Sequence, residues 1–235
     1  MFLLLMWQVA VWFFSIPSYV LPSPLKIFLS APAHLPLVLS HAVISAAETL
    51  SGLFFALCFG VFSALMFVLY PKIYKGLHPL FLCFQSIPSF ILMPLFVMWL
   101  GHGWWVKMLL VALSCYFSIT SCFYNGLLNT PQILLDQAHL CHAKKSKTMT
   151  HIRFPCALPS LFSGLRLSAI YAPLCVLAVD WIGASSGLGY VIMMSSAQLE
   201  MELMFLSLFF IIMLNLSLYK IVTCLEKRIV FWSRF

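Results

Sequence analysis

Between Glu48 and Asp136 the chain carries only three charged residues, Lys72, Lys75 and Lys107. The intervals between them are apolar and long, and a helix of about 20 apolar residues crosses the hydrocarbon core of a bilayer. No water is available there to pair backbone N–H and C=O groups, and a helix satisfies its own. Charge is scarce throughout: 8% of residues are charged and 63% are hydrophobic, where a soluble domain carries about 25% charge. The chain therefore reads as one all-α, polytopic membrane domain over residues 1–235.

Six spans are expected. Met1–Val20 lacks the basic leader and the small-residue cleavage site of a signal peptide and reads as a first span. The prolines of "LPSP" at 21–24 end it in an extended link. Proline-punctuated residues 25–40 read as a short interfacial segment. Core spans then fall within 41–225, at about 41–70, 77–100, 105–128, 157–181 and 203–224. With the loop after the fourth span in the cytoplasm, Lys72, Lys75, Lys144, Lys145, Lys147, Arg153, Lys220, Lys227, Arg228 and Arg234 share one face. Lys26 and Lys107 fall near the other. This asymmetry follows the positive-inside rule and places both termini in the cytoplasm. The net charge of +7 thus reports topology. Basic residues form no stripe that would read nucleic acid.

The one long polar interruption is "DQAHLCHAKKSKTMTHIRFPCALP" at 136–159. Ahead of and within it, Ile133, Leu134, Ala138 and Cys141 recur at helical spacing, and Pro131 is acceptable in a first turn. Spacing alone leaves two roles open: a helix lying on the membrane surface, or an element that docks on a soluble partner.

The island's spacing resembles the EAA signature of permease subunits in binding-protein-dependent ABC importers. In that pattern Glu-Ala-Ala is followed after three residues by Gly and, nine residues later, by Ile-x-Leu-Pro. Here Asp136 stands at the Glu position, Ala138 at the second Ala, Ile152 at Ile, Phe154 at Leu and Pro155 at Pro. His142 departs from the pattern by standing where the family has Gly. "QSIPSFILMPLFVMWLGHGWWVK" at 85–107 is similar to the proline-rich third helix of permeases for sulfonates, taurine, nitrate and pyrimidine thiamine precursors. "VDWIGASSGLGYVI" at 179–192 resembles their external loop, and "LEKRIVFW" at 225–232 their basic tail.

The resemblance implies a multi-pass inner-membrane permease that forms half of a solute pathway, with residues 131–155 as a coupling element on an ATPase. Leu134, Asp136, Ala138, His142, Ile152 and Pro155 would carry that contact. The implied partners are a cytoplasmic ABC ATPase dimer, a second permease copy in a homodimer, an extracytoplasmic solute-binding protein and the lipid bilayer, without nucleic acid. The implied solute is a pyrimidine thiamine precursor, with sulfonate, taurine, nitrate and riboflavin open.

Intramembrane ionisable groups are functional candidates; Glu48, Arg166 and Asp180 qualify, with Arg166 expected to snorkel to the cytoplasmic interface. Asp180, Gly187 and Gly189 belong to the expected outer gate, and Gln85 and Pro88 to the pathway. "GASSGLGY" follows a membrane helix, and the chain has no G-x-x-x-x-G-K-[ST]. ATP and Mg²⁺ are therefore expected on the partner, with no cofactor and no catalytic residue on this chain. His139, His142 and His151 lack the matched ligands of a metal site, and none of the eight cysteines forms a C-x-x-C pair. The alternatives are an ion-coupled secondary transporter, which would show internal repeats and a midplane carboxylate pair, and a membrane-embedded enzyme, which would need a convergent acid/base or metal set. The sequence shows neither.

Overall fold

A computed structural model describes the backbone of residues 2–101, 103–181 and 184–234, and within them all side chains except those of residues 2–4, 78, 82, 84, 85, 89, 90, 233 and 234. The secondary structure assigned there is helical. In chain order the helices are α1 (Phe2–Phe13), α2 (Pro24–Leu69), α3 (Pro71–Ser86), α4 (Ser89–Leu100), α5 (Trp104–Leu128), α6 (Gln132–Leu140) and α7 (Lys145–Thr148). A π turn (Met149–Arg153) leads into α8 (Phe154–Asp180), then α9 (Leu188–Ala197), α10 (Met201–Ile229) and a closing 3-10 turn (Phe231–Arg234).

Four helical stretches among the described residues are long and apolar enough to cross a membrane: Pro24–Leu69, Trp104–Leu128, Lys145–Asp180 and Met201–Ile229. The other two expected spans take a different form. Helix α1 stops at Phe13, which makes it roughly 18 Å long at 1.5 Å per residue. The expected third span is divided into α3 and α4 at Ile87–Pro88. Pro88 removes a backbone donor and pushes Ile87 out of the helical region; Pro94 lies inside α4 without ending it.

Residues 25–40 correct the sequence reading. They are the first third of α2, which runs unbroken through Pro32 and Pro36. Ser23 caps the helix by accepting from the Lys26 N–H, and Pro24 occupies the first turn, where its missing donor costs nothing. Tertiary packing outweighs the two interior prolines: Val38 is fully buried with Leu188 and Leu203, and Ile27, Ala31 and Ala42 pack on the same cluster.

Helix α5 is the centre of the bundle, with α2 on one side and α8 on the other. Phe123, Leu110, Ile119 and Leu127 of α5 are fully buried. Lipid is as apolar as leucine, so burial alone does little to hold helices together in a bilayer. Close approach across small residues provides the packing. A Cβ on Gly52 would lie 2.5 Å from Val111 Cγ1, and one on Gly126 would lie 2.6 Å from Ser160 Cβ. Between these contacts, Ser168 Oγ donates to the Cys115 carbonyl at 3.3 Å and the Cys115 thiol returns a long contact to the Ser168 carbonyl at 3.8 Å. Helix α10 closes on α8, where Arg166 pairs with Glu226 at 3.3 Å and donates to Ser163. Arg166 is thus held by a partner helix, which the snorkelling expectation did not include.

Gly126→Val forces α5 away from α8. The expected cost is about 1–3 kcal/mol, read as a fall of several degrees in the thermal midpoint of the detergent-solubilised protein. An unchanged midpoint would contradict the close-packing account.

Candidate functional site

Two polar clusters sit at opposite ends of α8. At its C-terminal end, Asp180 is fully buried, beside Glu48 of α2 and Lys107 of α5, which are 1% and 7% exposed. The Lys107 ammonium donates to Asp180 Oδ1 at 2.6 Å, to Glu48 Oε1 at 2.9 Å and to the Ser186 carbonyl at 3.1 Å. An ammonium has three donors, and all of them are used. One lysine thus ties α2, α5, α8 and the loop before α9. With all three groups ionised, two carboxylates share one cation, leaving one uncompensated negative charge. Glu48 Oε2 has no hydrogen-bond partner among the described residues.

The same cluster caps α9. The first N–H groups of a helix have no partner within it, and here other helices supply the acceptors. Gly187 N–H donates to His41 Nδ1 at 3.0 Å, Leu188 N–H to Ser45 Oγ at 2.8 Å, and Gly189 N–H to Asp180 Oδ2 at 3.3 Å. Asp180 also places negative charge at the positive end of the α9 dipole. Both glycines are required here. Gly187 has φ +110°, and a side chain there would collide with the Asp180 carboxylate. A Cβ on Gly189 would come within 2.6 Å of the Leu177 carbonyl.

Glu48 and Lys107 also border a cavity of about 220 Å³, with Ile44, Met93, Trp104 and Ala184 in its wall.

At the other end of α8, α6 and α7 form a helical pair joined by a tight turn. The Ala143 N–H donates to the Ala138 carbonyl at 2.9 Å and the His142 N–H to the His139 carbonyl at 3.0 Å. These are the two bonds of a Schellman C-cap, which needs a left-handed residue between them. His142 is that residue, at φ +50°. The turn is therefore made in the glycine conformation, by a residue that pays a steric penalty of roughly 1–2 kcal/mol for it.

Leu134, Ala138, Cys141, Lys147, His151 and Ile152 line a groove of about 460 Å³ between α6 and the segment that follows it. Ala138 is buried, Leu134, Ile152 and Pro155 are half-buried, and Asp136 is exposed, accepting from Gln132 Nε2 at 3.1 Å. Ile133 departs from the expected apolar stripe, since it is 72% exposed.

The structure brings Leu134, Ala138 and Ile152 together around one groove, and Asp180, Gly187 and Gly189 around one carboxylate. Pro88 lies apart from both, at the α3–α4 break. The Gln85 side chain lies outside the described residues. Sequence reasoning missed the role of Lys107, His41 and Ser45. The available signal was that Glu48, Lys107 and Asp180 all fall near the same end of their spans, where a bilayer tolerates charge only if it is paired.

Comparison with known proteins agrees with the resemblance read from the polar island. Residues 56–231 match the family described as the binding-protein-dependent transport system inner membrane component. The chain is 34% identical to a probable ABC transporter permease protein of Haemophilus influenzae, over 98% of this chain and 94% of that one. It is 26% identical to the formylaminopyrimidine transport permease protein ThiX of Halalkalibacterium halodurans, over 99% and 93% of the two. A permease-like fold is seen in an inward-facing structure of the MetNI methionine ABC transporter, with a TM-score of 0.67 at 18% identity over 82% of this chain and 97% of that one. The chain belongs to the inner membrane component family of binding-protein-dependent transport systems. It is a permease subunit, not an enzyme.

Two substitutions test the two clusters. Lys107→Met leaves Glu48 and Asp180 buried and uncompensated, with an expected loss of roughly 3–5 kcal/mol; a thermal midpoint within a degree of wild type would refute the shared ion pair. His142→Gly relieves the left-handed residue and is expected to stabilise by about 1 kcal/mol, whereas His142→Val destabilises. Chemical denaturation of the two variants in parallel reads the sign.

Proposed function

We propose that this permease subunit lines half of a solute pathway, pairs with a second copy about a two-fold axis, and is driven by a cytoplasmic ABC ATPase dimer docked on residues 131–155. ATP and Mg²⁺ are bound by that ATPase, and an extracytoplasmic binding protein delivers the solute. The basic residues gathered around the loop support a cytoplasmic position for it, with both chain termini on the same side.

The observation that carries the reading is the unbroken helical run from Lys145 to Asp180. It starts in the groove-forming loop and ends in the Lys107 cluster, roughly 54 Å away along the helix at 1.5 Å per residue. A soluble motor that moves α6 and α7 therefore moves the foot of α8, and α8 ends at the ion cluster that holds α2, α5 and α9 together. Alternating access follows if the loop and the cluster are the two ends of one rigid lever. The exposed Leu140, 81% accessible, and Ile133 are apolar side chains on the outside of this loop, available to a partner.

The solute proposed is a pyrimidine thiamine precursor. The relative named for formylaminopyrimidine transport aligns over nearly all of this chain, and "QSIP" and "DWIGASSGLGY" resemble that group. Sulfonate, taurine, nitrate and riboflavin are the rival solutes.

The test is co-purification with the cognate ATPase, followed by uptake into vesicles. Asp136→Lys and Ala138→Glu are expected to cut ATPase association and ATP-driven uptake at least tenfold while membrane insertion persists. Normal co-purification of both variants would remove the coupling role from this loop. Uptake that survives loss of the ATPase would sink the importer reading.

A further inference from the structure

The cap of α9 includes an acceptor that a proton removes. A backbone N–H only donates, so the 3.0 Å contact from Gly187 N–H fixes His41 Nδ1 as the acceptor. That nitrogen therefore carries no hydrogen, and the ring is neutral with its proton on Nε2. An imidazolium has a hydrogen on both nitrogens and accepts nothing. Protonation deletes this bond outright and also sets a positive charge beside the positive end of the α9 dipole. The other two acceptors of the cap differ in kind. The Ser45 hydroxyl stays an acceptor across the physiological pH range, and Asp180 Oδ2 serves the N–H of Gly189.

The titratable and charged groups around His41 come from each element packed there. Tyr190 of α9 has its ring 5.9 Å from the imidazole. Asp180 of α8 and Glu48, two turns along α2, are both paired with Lys107 of α5. In the other direction along α2, His34 shares a surface pocket with Glu200 and Glu202 at the start of α10. His41 is half-buried.

We propose that His41 is a proton-operated latch on the loop before α9, closed when the ring is neutral and released when it is protonated. Gly187 is the joint that feels the release. It holds φ +110°, and the neighbouring Ser186 carbonyl is an acceptor for Lys107. Loss of the Gly187 anchor thus frees the loop where it meets the ion cluster. The bond's contribution is present above the pKa of His41 and is lost as pH falls through it. Resting on the permease reading, this loop stands at the outer mouth of the pathway, and the latch makes its mobility respond to acidity there.

The experiment follows hydrogen exchange of the Gly187 amide in the full chain in nanodiscs, corrected for the intrinsic pH dependence of exchange. Between about pH 7.5 and about pH 5, a span that brackets an ordinary imidazole, wild-type protection is expected to fall at least fivefold. His41→Asn places Oδ1 where Nδ1 stood and keeps an acceptor that does not titrate; its protection is expected to hold across the same span. His41→Phe lacks the acceptor and is expected to match acid wild type at both pH values. Unchanged wild-type protection overturns the latch, whatever the variants do. An equal fall in His41→Asn also overturns it and moves the response to Glu48 and Asp180. The measurement needs neither ATPase nor solute, so its failure is told apart from failure of the transport reading.

Discussion

A single buried ammonium holds this bundle together at one end. Lys107 meets two carboxylates and a backbone carbonyl drawn from α2, α8 and the loop before α9. Desolvating such charges costs several kcal/mol per ion, recovered only when geometry is good and remaining polar atoms find partners. That condition fixes much of the local structure. It requires the short α9 to begin where its N–H groups can reach Asp180, Ser45 and His41, and it requires glycine at 187 and 189 so that backbone can approach the Asp180 carboxylate. Among the described residues, Glu48 Oε2 is the buried oxygen of this network left without a hydrogen-bond partner.

The helices and the polar loop were legible in the sequence because both rest on local signals. Charge-free apolar runs of about 20 residues suit spanning helices, which pair their own backbone in lipid, and the α5, α8 and α10 ends fall within a few residues of those read from composition. The recurrence of Ile133, Leu134, Ala138 and Cys141 pointed to a helix in the polar loop, and α6 forms there, with Ile133 turned outward. Residues 25–40 were misread because proline is a local signal that distant packing can override: Val38 buried against Leu188 and Leu203 outweighs Pro32 and Pro36. The pairing of Glu48, Lys107 and Asp180 joins positions 59 and 73 residues apart. Each looked like an isolated charge near a helix end, and nothing in local pattern says which distant charge it meets.

His142 shows how a departure from a family pattern can leave geometry intact. The Schellman bonds of Ala143 and His142 are both made, and the histidine adopts the left-handed conformation that glycine would take without strain. Backbone hydrogen bonding at the end of α6 dictates the turn, and the side chain conforms to it. The strain of the α6–α7 turn is therefore placed at its corner, on His142.

The π turn at Met149–Arg153 has a consequence for phase. A π turn holds one residue more than an α turn, and one residue corresponds to about 100° of azimuth along a helix. Lys145–Thr148 and the apolar face of α8 are thus offset by one angular step from where an uninterrupted α-helix would set them. The groove lining draws on both parts, with Lys147 ahead of the turn and His151 and Ile152 within it. Conversion of the turn to α geometry would swing the loop around the α8 axis like a tooth advancing on a gear, without breaking the helix that carries it.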